Sequence, residues 1–133
     1  MSIVPGFQHQ PGRHCGSTSL QNLVNWGGWP LSEAACFGLG SGLDSIFLGG
    51  LGEFPLGSFL GRGGDLEDFF FENLGLGAPR RSAGTFAEMA QHIESRLPAE
   101  PVMVQGDVAG LDYYNSPEHF AGHKFLLVGH DDE

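Results

Sequence analysis

Basic residues are what this chain most lacks. Six Lys and Arg stand against sixteen Asp and Glu, for a net charge of -10. Proteins that grip nucleic acid neutralise phosphates with clustered cations, and the only basic doublet, Arg80-Arg81, is too short for that. Nucleic acid is thereby excluded as an expected partner. Cysteine is scarce as well: the two present, Cys15 and Cys36, do not make a disulfide framework. No apolar run approaches the roughly 20 residues that span a bilayer. The N-terminus lacks the basic region and apolar core of a secretory signal. These absences predict free thiols in a reducing cytoplasm, away from membranes.

Glycine is plentiful, at 22 of 133 residues, against a usual share of about 7%. It is spread through apolar sequence without a repeat, which predicts tight loops and close backbone contacts, not disorder. The length suits one domain, residues 1–133, with a modest core.

The chain reads as an extended lead over Ile3–Phe7, then a helix from Cys15 to Trp26 carrying Leu20, Leu23 and Val24 at one-face spacing. Gly27 and Gly28 stop it. Ser32 caps a second helix ending at Gly38, with Glu33 favourably placed in its first turn. Gly-Leu pairs between Gly38 and Gly64 surround two short strands, Ser45–Leu48 and Ser58–Leu60. Asp65–Leu74 predicts a helix with a solvated acidic start (Asp65, Glu67, Asp68) and a phenylalanine-rich face, and Arg80–Ser82 a short strand. Thr85, with Glu88 three residues on, caps a helix to Arg96. Strands follow over Val102–Val108 and Lys124–Gly129, which makes the class α+β: a helical N-terminal part followed by an antiparallel sheet. The sequence stops directly after the last strand, so a fragment of a longer protein is expected.

Chemistry is most legible at Arg13-His14-Cys15-Gly16-Ser17, where a turn runs into the first helix. A thiol in the first turn feels unpaired N–H groups and the positive end of the helix dipole, which favour the nucleophilic thiolate. A Cys nucleophile needs a base, a group to orient that base, and donors for the oxyanion. His123, beside the last strand, is the natural base. Asp131 and Asp112 are candidate orienting acids, with Asp107 and Asp132 further choices. The Cys15 N–H and a side-chain amide from Gln8 or Gln10 are candidate oxyanion donors. Cys36 reads as core. His119 and His123 are four apart, but Pro117 and Gly122 bracket them and no Cys or carboxylate stands at ligand spacing, so no metal is expected. Gly38 to Gly42 lacks the spacing and following Lys of a phosphate-cradling loop; a substrate-lining loop or close helix packing fits it equally.

Several segments together resemble a known family. They are His14-Cys15-Gly16-Ser17-Thr18, Leu31-Ser32-Glu33, Phe37 to Leu43, Pro101 to Gln105, Asp112-Tyr113-Tyr114, His119-Phe120, Gly122-His123 and Val128 to Asp131. They look like the N-terminal domain of butirosin-biosynthesis-protein-H-like proteins, over nearly the whole chain. That family resembles a divergent branch of the papain-like, C39-peptidase-like cysteine hydrolases. The resemblance implies acyl transfer in natural-product assembly, from a carrier-protein thioester to an amine, with Cys15 as nucleophile and His123 as base. It implies no cofactor. His14, Ser17, Gly40 and Gly42 are candidate substrate contacts, a cap of the turn being an equal reading of His14, and the loop from Gly38 to Gly64 is a candidate pocket wall. The sequence departs from the pattern at His130, where a Gly-Tyr-Asp ending is usual, and the triad acid of C39-like enzymes falls on a strand past Glu133. Carrier proteins are usually acidic, like this chain, so docking needs a local basic surface, for which Arg62, Arg80, Arg81 and Lys124 are the candidates, or else a further domain of a longer protein. Two alternatives keep or abandon this chemistry: a cysteine peptidase or thioesterase, and a silent binding or scaffold domain.

Overall fold

In the computed structural model, the described residues are 2–49, 58–61, 65–78, 80–97 and 99–130. They form β1 (Ser2–Ile3), α1 (Cys15–Trp26), α2 (Glu33–Leu39), β2 (Ser45–Leu48), β3 (Ser58–Gly61), α3 (Leu66–Asn73), α4 (Phe86–Glu94), β4 (Val102–Gly106), β5 (His123–Leu127) and β6 (Gly129–His130). The class is α+β. The strands pair antiparallel as β1 with β6, β2 with β3 and β4 with β5. None of the described helices is long and apolar enough to cross a membrane.

The core grows from the apolar stripe of α1. Leu20 and Val24, one turn apart, pack with Cys36 of α2 and with Leu66 and Phe70 of α3. Burying side chains of this size contributes roughly 1.5–3 kcal/mol each. Of the three consecutive phenylalanines, Phe70 is fully buried, Phe71 packs at the core's edge and Phe69 is largely outside. α1 therefore sits at the centre, against α2 and α3 on one side and β5 on the other.

Local side chains set most boundaries. Ser32 Oγ accepts the Ala35 N–H and starts α2. Thr85 Oγ1 accepts the Glu88 N–H, while the Glu88 carboxylate reaches back to the Gly84 N–H at 3.1 Å and closes the cap. Three expectations are corrected. The lead is extended only briefly as a strand, because Pro5 and Gly6 turn the chain. Arg80–Ser82 forms no strand: Arg80 is drawn to Asp68 of α3 at 2.8 Å, and the segment pairs with no strand among the described residues. β4 stops at Gly106, because the Asp107 carboxylate accepts the Ala109 N–H and turns the chain into a single 3-10 turn.

Candidate functional site

α1 begins at Cys15 because the preceding residue is built as a cap. His14 is extended; its Nδ1 accepts the Ser17 N–H at 3.2 Å and its carbonyl accepts the Thr18 N–H at 2.9 Å. Its ring stands edge-on to Phe37, with centroids 5.4 Å apart. Cys15 is thus partly buried in the first helical turn, where N–H groups lack intrahelical acceptors and the dipole is positive.

The loop carrying Cys15 is held by a residue of α2. Glu33 Oε1 accepts the His14 N–H at 2.8 Å, the Arg13 N–H at 3.0 Å, the Thr18 hydroxyl at 3.0 Å and the Ser17 hydroxyl at 3.1 Å. Burial pushes the Glu33 carboxyl up, yet those donors outweigh it and hold it below the ordinary carboxylate range. Gly12 makes the approach available: a Cβ there would lie 2.0 Å from Thr18 Oγ1 and 2.9 Å from Glu33 Oε2.

His123 opens β5 and is buried, at 9% exposure. Phe125 stacks on its ring and Tyr114 meets it edge-on at 4.9 Å. The Tyr113 hydroxyl lies 3.5 Å from His123 Nε2, a long hydrogen bond. Burial and then the neighbouring Tyr114 push the Tyr113 phenol above its usual range, so it stays a neutral hydroxyl at pH 7. Since α1 packs on β5, Cys15 and His123 open onto one cavity of about 510 Å³.

Not every candidate residue lies there. In extended backbone, successive side chains point to opposite sides. Phe7 and His9 accordingly line the Cys15 cavity, whereas Gln8 and Gln10 line another beside Trp26. Gln10 is further held there, its Oε1 accepting Gln21 Nε2 at 2.9 Å. The amide that does line the Cys15 cavity is Asn22, whose Nδ2 donates to the carbonyls of Gln10 and Thr18. Ser17 turns its hydroxyl to Glu33. Gly40 and Gly42 belong to helix packing: Cβ atoms there would meet the Leu66 carbonyl at 2.6 Å and the Phe37 ring at 2.5 Å. Of the candidate pocket wall Gly38–Gly64, residues 50–57 and 62–64 lie outside the described residues.

Among the orienting candidates, Asp112 lies exposed in the turn before Tyr113 and does not line the cavity. Asp107 accepts from His119 Nδ1 at 2.8 Å and from the Phe120 N–H. The interaction with His119 is foremost in holding its carboxyl below the usual range. Asp131 and Asp132 lie outside the described residues. Sequence reasoning missed Tyr113 as the group at His123 Nε2; its one signal was the Tyr113-Tyr114 pair just upstream of the His-bearing strand. It also missed Glu33 as the clamp on the Cys15 loop.

Two of the residues named for a basic docking surface are paired with carboxylates. Lys124 is buried against Glu67, its Nζ 3.4 Å from Oε2, and it also contacts Gln105 Oε1. Glu67, expected at a solvated helix start, is likewise buried, with only 6% exposure. Arg80 pairs with Asp68, and Arg62 lies outside the described residues. A further cavity of about 550 Å³ gathers Arg80, Arg81, Arg96 and Lys124, but carboxylates already neutralise three of them: Asp68, Glu100 and Glu67. Among the described residues, no group of three or more His, Cys, Asp or Glu could hold a metal ion.

No curated protein and no solved structure matches the chain. A family model does, over residues 14–133, from the cap of α1 through the strand that carries His123. The chain belongs to the family described as butirosin biosynthesis protein H, N-terminal.

Proposed function

We propose that this domain is a cysteine-dependent acyltransferase of antibiotic biosynthesis, with a papain-like, C39-peptidase-like architecture. The observation that carries the reading is the convergence of Cys15, at the N-terminus of α1, and His123, at the start of β5, on one cavity. The family's name supplies the biosynthetic setting.

The Cys15 thiolate attacks the carbonyl carbon of a carrier-protein thioester, forming a tetrahedral intermediate. The backbone N–H of Cys15 is the proposed donor to its oxyanion. The intermediate collapses by breaking the bond to the carrier sulfur, which leaves with the proton from the His123 imidazolium. An amine then attacks the acyl-Cys15 carbonyl and gives its proton to His123. The C–S bond breaks, the amide departs, and the Cys15 thiolate and His123 imidazolium are restored. With Tyr113 at Nε2, Nδ1 is the ring nitrogen left for the thiol. No step needs a cofactor.

Incubation with acyl-carrier thioesters followed by intact-mass analysis tests the reading. The expected result is one acyl mass on Cys15, discharged by an added amine to give an amide. Cys15→Ala should abolish the adduct. An adduct that persists in Cys15→Ala, or none in the wild type, would overturn the acyltransferase. Discharge to water alone would make the domain a thioesterase, and cleavage of peptides a peptidase.

A further inference from the structure

We propose that Glu33 is a positioning residue for the nucleophile: from α2 it clamps the chain on both sides of Cys15 and thereby sets where the thiol stands relative to His123. This rests on the reading of Cys15 and His123 as a reactive pair. The donors to the clamp straddle the cysteine. Arg13 and His14 supply backbone N–H groups before it; Ser17 and Thr18 supply hydroxyls after it. The second carboxylate oxygen is also engaged, by the Arg13 N–H at 3.1 Å. Two residues precede and two follow, while Cys15 itself is left free of the clamp.

Charge alone would disfavour this arrangement. A carboxylate beside a thiol that must ionise repels the thiolate. Its repulsion is visible at Cys36, one turn along α2, where burial and then Glu33 push the thiol up to about 11. The contribution of Glu33 to reactivity is therefore geometric, a fixed backbone at a site that tolerates little misplacement. The charged and titratable groups facing the clamped segment are Arg13, His14 and Cys15 on it, Cys36 on α2, Glu67 of α3 beside Gly16, and His9, Tyr114, His123 and Lys124 around the cavity.

The test is the rate of Cys15 alkylation by iodoacetamide against pH in wild type, Glu33→Gln, Thr18→Val and His123→Ala, with Cys36 protection as the measure of folding. In Glu33→Gln the amide turns donors toward the Arg13 N–H while the shape is kept. The expected result is loss of reactivity at pH 6 by about ten-fold, with the profile moving toward that of an ordinary thiol. Thr18→Val, which removes one donor, should lose about three-fold on the same scale. A purely structural role would lower the melting temperature and leave the profile of the folded protein unchanged. That outcome, or faster alkylation through simple loss of charge, overturns the proposal. If His123→Ala keeps the wild-type profile, the Cys15–His123 pair itself is refuted and the proposal falls with it. A shift in His123→Ala without one in Glu33→Gln refutes the clamp alone.

Discussion

Lys124 Nζ lies 3.4 Å from Glu67 Oε2, and both side chains are at least nine-tenths buried. The pair ties β5, one residue after His123, to α3. Glu67 also reaches the residue after Cys15, since a Cβ on Gly16 would stand 2.6 Å from its Oε1. One buried ion pair thus joins β5, which bears His123, to α3, and its carboxylate packs against the first turn of α1, which bears Cys15.

Removing Lys124 weakens the compensation of a buried carboxylate that keeps Arg80 Nη2 at 3.9 Å. Lys124→Met should destabilise the domain by about 1–3 kcal/mol. The double change Lys124→Met with Glu67→Leu should recover most of that. Urea unfolding of the single and double variants measures both.

The two thiols should differ sharply. Cys36 is fully buried and pushed up to about 11, burial being the main cause. At pH 7 and native conditions, iodoacetamide should label Cys15 and leave Cys36 untouched until urea unfolds the chain. Peptide mapping of the labelled protein reads this directly.

Tyr113→Phe keeps the ring near His123 and removes the hydroxyl at Nε2. Loss of one orienting hydrogen bond should lower acyl transfer by roughly three- to ten-fold while changing the melting temperature little. Single-turnover discharge of acyl-Cys15 is the measurement.

Gly40→Ala separates packing from substrate contact. The added methyl would press on the backbone carbonyl of Leu66, which cannot swing aside as a side-chain end would. Overpacking of this kind costs about 1–3 kcal/mol. Thermal unfolding should shift accordingly, and KM for the thioester should stay as in wild type under conditions where the variant is folded.

Acid should loosen the same region. Glu33 and Asp107 both have carboxyls held below their ordinary values in the folded chain. A depressed folded value means stability that is present above the unfolded pKa and is lost as pH falls through the folded one. Glu33 has an ordinary value of 4.5, so the loss should begin near there and deepen at lower pH. Glu33→Gln should flatten the stability–pH curve in that window, as followed by urea unfolding at successive pH values.

The sequence alone determined a good deal. Helix periodicity and capping residues marked α1 from Cys15 to Trp26, Ser32 and Thr85 as caps, and strand-forming runs at β2, β4 and β5. These are local properties, carried by side chains that act within a turn or two of themselves. Cys15 and His123 were legible as candidates for the same reason: a thiol at a helix start and an imidazole at a strand start are local facts. The tertiary structure decided everything that depends on distance through space. It put Gln8 and Gln10 outside the Cys15 cavity, because the lead segment's alternation has a phase that composition does not reveal. It buried Glu67 against Lys124, 57 residues apart in sequence, though each reads alone as a surface charge. It brought Tyr113 to His123 and Glu33 to both flanks of Cys15. Hydrogen bonds and ion pairs across the fold depend on how helices and strands dock, and docking is set by the whole core.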